Sequence, residues 1–121
     1  MTCMNVQVYG IKKSSDTKKA LRFFKERGVK PQFFDLKDRY MSKGELNRFI
    51  QKKGLDMLID KKSKAYEKSG LEYMRLSNEQ WLEKLIDEYE LMVMPLVRSG
   101  NSLSVGWDEP FWKQWHRESK T

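Results

Sequence analysis

At 121 residues the chain has the length for one hydrophobic core, and its 15 aromatic residues (Trp 4, Tyr 5, Phe 6) argue against disorder. One cysteine and one histidine exclude an intramolecular disulfide and leave no cysteine- or histidine-rich metal set. Lys and Arg outnumber Asp and Glu by 24 to 17, for a net charge of +7, but the lysine doublets (Lys12-Lys13, Lys18-Lys19, Lys52-Lys53, Lys61-Lys62) are interleaved with acids and form no basic block with interposed aromatics.

That pattern reads as a solvated surface, and direct nucleic-acid binding is not expected. No apolar run approaches the ~20 residues of a membrane span and the N-terminus has no signal-peptide pattern, so a cytoplasmic location is expected.

In chain order, Asn5–Gly10 alternates and is β-rich, which predicts a strand. Asp16–Arg27 follows as a helix with Ala20, Leu21 and Phe24 on one face, Phe23 beside them and Gly28 just past its end. Gln32–Leu36, started by Pro31, is a second strand. This short strand–helix–strand spacing is a βαβ unit with parallel strands.

The middle is helical. Ser42-x-x-Glu45 is a capping box opening a helix with Leu46, Phe49 and Ile50 inward, and Gly54 closes it. Leu55–Ile59 and Lys64–Lys68 read as short helices. A second capping box, Ser77-x-x-Gln80, leads a helix with Trp81, Leu82, Leu85, Ile86 and Tyr89 on its buried side.

Met94–Arg98, a turn at Ser99-Gly100-Asn101 and Leu103–Gly106 predict a β-hairpin. Asp108 caps a last helix with Pro110 in its first turn and Phe111, Trp112 and Trp115 inward. Helical spacing makes these aromatics, with Trp107, core rather than a partner-binding patch. Met92 and Met94 read as packing. The whole is an α/β chain of order β-α-β, helical insert (about 42–90), β-β-α, with a small sheet in a single domain spanning 1–121.

The junction Gly10-Ile11-Lys12-Lys13-Ser14-Ser15-Asp16-Thr17 leads from the first strand into the first helix. Ser14, Ser15 and Asp16 read as helix-capping residues. The loop amides with Lys12 and Lys13 could also hold an anion. Serine catalysis lacks an adjacent base, since His116 lies in the C-terminal tail. Cys3 lies at the other end of the strand and reads as an incidental thiol.

Val8-Tyr9-Gly10-Ile11-Lys12-Lys13, Asp16-Thr17-x-Lys19-Ala20, Pro95-Leu96-Val97 and Val105-Gly106-Trp107, taken with the element order, resemble the arsenate reductase family (ArsC, Spx and the YffB-like proteins) over roughly Val6 to Trp115. The resemblance implies a thioredoxin-like fold of ArsC type with a mixed sheet. It places the family's nucleophilic cysteine at Ser14 and the second cysteine of C-x-x-C members at Thr17. An oxyanion-binding arginine falls on Met94 and another near Asp60, with Lys61, Lys62 or Arg98 as weaker sources of positive charge. Pro95 is implied to be cis and to face the loop.

The site so implied is Lys12, Lys13, Ser14, Ser15, Asp16, Thr17, Pro95 and Arg98, without a nucleophile, metal or cofactor. The resemblance then implies a non-catalytic binding or regulatory relative, with a protein partner such as an RNA polymerase subunit, as for Spx-type proteins. The alternatives are a glutathione- or thioredoxin-linked reductase whose cysteine is replaced in this chain, and a basic nucleic-acid binder.

Overall fold

The computed structural model describes residues 5–70 and 74–118; Cys3 lies outside them. The described residues fall into two compact units, one within 1–36 and 94–121 and the other within 37–93.

In the first unit, β1 (Val6–Gly10) pairs in parallel with β2 (Gln32–Asp35) and antiparallel with β3 (Leu96–Ser99), which pairs antiparallel with β4 (Ser102–Val105). The four-stranded mixed sheet has the order β2-β1-β3-β4. Period-two alternation gives each face its own row. Phe33, Val8, Val97 and Ser104 stand side by side on one face, and Phe34, Tyr9, Leu96 and Val105 on the other. Tyr9 and Phe34 stack at 4.9 Å between ring centroids.

Val8 and Val97 belong to a core with Ala20, Phe23 and Phe24 of α1 (Ser15–Glu26) and Trp112 and Trp115 of α6 (Glu109–Glu118). The Trp112 indole N–H donates to Ser104 Oγ at 2.7 Å, tying α6 to β4. A buried indole needs that acceptor as much as its ring needs the core.

Gly28 ends α1 in a Schellman motif: at φ +76° its N–H donates to Lys25 O, and the Val29 N–H to Phe24 O at 2.9 Å. The hairpin turns through Gly100 and Asn101, with Gly100 at φ +60° and Asn101 at negative φ, so glycine takes the first central position of a two-residue turn.

In the second unit, both capping boxes form. Ser42 and Glu45 open α2 (Lys43–Lys53), and Ser77 and Gln80 open α5 (Asn78–Asp87), each pair satisfying two backbone donors. Between them run α3 (Leu55–Leu58) and α4 (Lys64–Ser69). A bridge between Ile59 and Met92, with Val93 N–H donating to Leu58 O, closes the unit. Leu46, Phe49, Leu58, Leu85, Leu91 and Met92 are buried.

Several expectations need correction. Ile50, Trp81, Leu82 and Ile86 are only half-buried; for Ile50 and Leu82 the reason is an open groove of about 620 Å³ between α2 and α5, which both line. Tyr89 lies beyond α5, in a 3₁₀ turn at Tyr89–Leu91, because the helix stops at Asp87. Met92 is buried as packing requires, whereas Met94 is half-buried. Trp107 is 42% exposed rather than core; it follows β4 and meets Trp112 in a T-shaped contact, at 5.1 Å and 85°. Phe111 faces inward as expected: it is half-buried, packed against the core with its ring beside Trp115.

No helix among the described residues is long and apolar enough to cross a membrane.

Candidate functional site

β1 delivers the chain to the site. At its end Gly10 O accepts the Leu36 N–H at 2.9 Å, and Ile11–Ser14 turns, with Ser14 N–H donating to Ile11 O at 3.1 Å. The turn is short because α1 starts at once. Ser14 has the extended backbone of an N-cap residue, and its Oγ accepts the Thr17 N–H at 3.2 Å. The Ser14 carbonyl accepts the Lys18 N–H at 3.1 Å, the first bond of the helix.

Ser14 alone supplies the side-chain cap of α1. Ser15 is the first helical residue and exposed. Asp16 is a first-turn acid, placed to favour the positive end of the helix dipole. Lys12, Lys13, Lys18 and Lys19 are all exposed around this turn. Four ammonium groups outnumber the carboxylates of Asp16 and of Asp35, which stands opposite Gly10 on β2, so the rim of the loop is cationic.

Thr17 is different in kind. It is fully buried, and its Oγ1 has no hydrogen-bond partner among the described residues. Its side chain lies against Gly10, where an added Cβ would come within 2.8 Å of Thr17 Cγ2. Gly10 is therefore glycine for closeness. The position that the resemblance assigned to a second cysteine is filled by a packed side chain locking α1 onto β1.

The Met94–Pro95 peptide is cis. Leu96 pairs with Tyr9 and with Val105, so one further step of register brings Pro95 to the end of the sheet that holds Gly10. The Pro95 carbonyl accepts the Gly106 N–H at 2.8 Å, which fixes the neighbouring strand end there too.

Arg98 is not brought to this loop. It pairs with Gln7, and β3 runs antiparallel, so it lies toward the hairpin end of the sheet. Its Nε donates to Gly100 O at 2.9 Å, across the hairpin turn. Asp60 belongs to the second unit and makes a local turn there, with Oδ1 accepting the Lys62 N–H and its carbonyl accepting the Ser63 N–H and Oγ–H.

One site feature was read in the sequence as core. Trp107 follows Gly106 at the same sheet end as Pro95, and the Lys19 ammonium lies 5.9 Å from its ring centroid. A cation over an exposed indole is a modest attraction, about 0.5–1 kcal/mol, but it holds an aromatic plate and a charge together beside α1. The readable signal was the tryptophan directly after a strand-ending glycine.

The arrangement can present a capped helix end and a cationic rim to an anion or an acidic group. Among the described residues no cluster of His, Cys, Asp and Glu is suited to a metal ion.

The chain is 27% identical over 115 residues to the uncharacterized protein YusI of Bacillus subtilis (strain 168), covering 88% of this chain and 93% of that one. Its fold matches the YFFB protein with a TM-score of 0.83 at 20% identity, over 91% of this chain and 97% of that one. It also matches an arsenate reductase from Vibrio cholerae with a TM-score of 0.77 at 22% identity, over 86% and 91% of the two chains. A model described as the ArsC family covers residues 9–115, the span holding the loop, the capped helix and the hairpin. The chain belongs to the ArsC family, with a thioredoxin-like fold.

Proposed function

We propose that this chain is a non-catalytic member of its family that works by binding a protein partner, in a regulatory role. The observation that carries the reading is the state of Ser14. At the position the family resemblance gives to the nucleophile stands a hydroxyl whose oxygen is engaged as the N-cap of α1. A cysteine at a helix N-terminus ionises with a pKa of roughly 3.5–7.5 and attacks as thiolate, whereas a serine there stays protonated without a base beside it.

The arginine clamp that would hold an oxyanion is replaced as well, by Met94 at one family position and Asp60 near the other. What remains at the sheet end is a surface: exposed lysines, a capped helix end and the exposed Trp107. Such a surface suits an acidic face of a protein partner. By resemblance to Spx-type relatives, an RNA polymerase subunit is the partner to test first.

The experiment has two arms. Affinity capture from native lysate, read by mass spectrometry, should recover polymerase subunits, and the recovery should fall when Lys12, Lys13 and Trp107 are replaced by alanine. Arsenate and disulfide reductase assays with glutathione, glutaredoxin and thioredoxin systems should show no turnover. Turnover that survives Cys3→Ser would overturn the proposal in favour of a glutathione- or thioredoxin-linked reductase.

A further inference from the structure

The C-terminal end of α1 and the length of α6 border an open cleft of about 470 Å³, lined by Arg27, Glu109, Pro110, Lys113, His116 and Arg117. It lies away from the Ile11–Thr17 loop, since Arg27 follows the last turn of α1 and the loop precedes the first.

Three cations face one carboxylate there. The carboxylate is partly neutralised, because Glu109 pairs with Lys113 at 3.5 Å one helical turn on. That pair is exposed and so worth little, leaving the ammonium open to a better partner.

Arg27 is set in place. Its Nη1 donates to Phe23 O at 3.2 Å, and its Cζ stands 3.8 Å from the centroid of the Phe23 ring. Guanidinium has five N–H donors, and one bond to a carbonyl leaves most of them for a ligand. The stacking also lowers the entropy lost when the fork closes on an anion. His116 is fixed to the same place, with Nε2 at 3.3 Å from Arg27 O. Arg117 is exposed and has no ion pair among the described residues.

Basic residues in a last helical turn also complement the helix dipole, and that alone makes no site. What distinguishes this group is that cations of two different helices converge on one concavity, with one of them held rigidly.

We propose that this cleft is a binding site for a small ligand carrying a phosphate ester. A dianionic head fits the excess of cations, and planar arginine forks match phosphate oxygens two at a time. The cleft is in the range of small-molecule sites, roughly 300–1,000 Å³, so it has room for an organic body beside the phosphate, against Pro110.

The test is a nitrogen-15 NMR titration of the full chain with ribose 5-phosphate, with ribose as the neutral control at matched ionic strength. Saturating shifts are expected at the amides of Arg27 and of Lys113–Arg117, and none with ribose. The double variant Lys113→Ala/Arg117→Ala removes two exposed side chains without touching the core, and it should bind at least tenfold more weakly. Lys64→Ala, on α4, should bind as the parent does. Shifts that grow linearly and spread over all the surface lysines would overturn the proposal. So would saturating shifts confined to the Ile11–Thr17 loop, or equal affinity in the double variant.

Discussion

Ser14 and Thr17 sit three residues apart at the start of α1 and do different work, one capping the helix and the other packing it onto β1. Ser14 Oγ satisfies one of the amides that a helix start leaves unpaired. Ser14→Ala should therefore lower stability by about 0.5–2 kcal/mol, read from urea unfolding midpoints. Ser14→Cys tests the backbone instead, because helix amides act on whatever stands at the cap. In a Cys3→Ser background the new thiol should titrate below the free value of ~8.5, followed by the pH dependence of iodoacetamide labelling. A value at or above it would mean that the amides do not face that position. Thr17 makes a different demand. Because its Cγ2 would lie 2.8 Å from a Cβ at position 10, Gly10→Ala should cost about 1–3 kcal/mol through overpacking. Thr17→Ala should recover part of that loss in the double variant, since it removes the atoms that clash. Equal losses with and without Thr17 would point to a backbone cause.

At the scale of elements, the anchor of α6 is a polar contact inside an apolar core. The Trp112 indole N–H donates to the fully buried Ser104. Ser104→Ala leaves that donor without an acceptor, and a loss of about 1–3 kcal/mol is expected, measurable by thermal or urea unfolding. Ser104→Thr keeps the acceptor and should lose less. The elements most legible in the sequence were those written in local chemistry. Ser42-x-x-Glu45 and Ser77-x-x-Gln80 set their helix starts through side chains three residues apart, and Gly28 closes α1 through its own positive φ. The end of the sheet was legible too, since Pro95 and Gly106 could be placed from the family's hairpin. Less legible was anything decided by a neighbour distant in the chain. Helical period put Ile50 and Leu82 on inward faces, but how far each is covered depends on the separation of α2 and α5. Arg98 had the right charge and the wrong end of the strand, which only the antiparallel register reveals. Trp107 counted as core by its company, yet it stands one residue outside the helical repeat that buries Trp112 and Trp115.

At the scale of the whole molecule the question is whether one residue separates this chain from an arsenate-reducing relative. Two requirements are distinct. A thiolate must attack, and a preorganised positive clamp must hold the oxyanion where charge develops, usually the larger contribution to such catalysis. Ser14→Cys restores only the first. By the family resemblance, the clamp positions would still carry a thioether at Met94 and, near the other, Asp60 in place of an arginine. Arg98 cannot substitute, because its guanidinium is bonded at the hairpin turn. The exposed lysines around the α1 start raise local positive potential, but as flexible point charges without the fork that holds an oxyanion in two places. Removing a single oxyanion donor from a working enzyme costs on the order of a hundredfold to a thousandfold in rate, and the family resemblance puts no arginine at either clamp position here. Cys3→Ser/Ser14→Cys should thus label readily with iodoacetamide while showing no arsenate reduction with glutathione and glutaredoxin. Adding Met94→Arg to that variant should be the first change to give measurable turnover. Arsenate reduction by the Ser14→Cys protein alone would show that the lysine-rich loop suffices as a clamp, and that this chain lies a single substitution from catalysis.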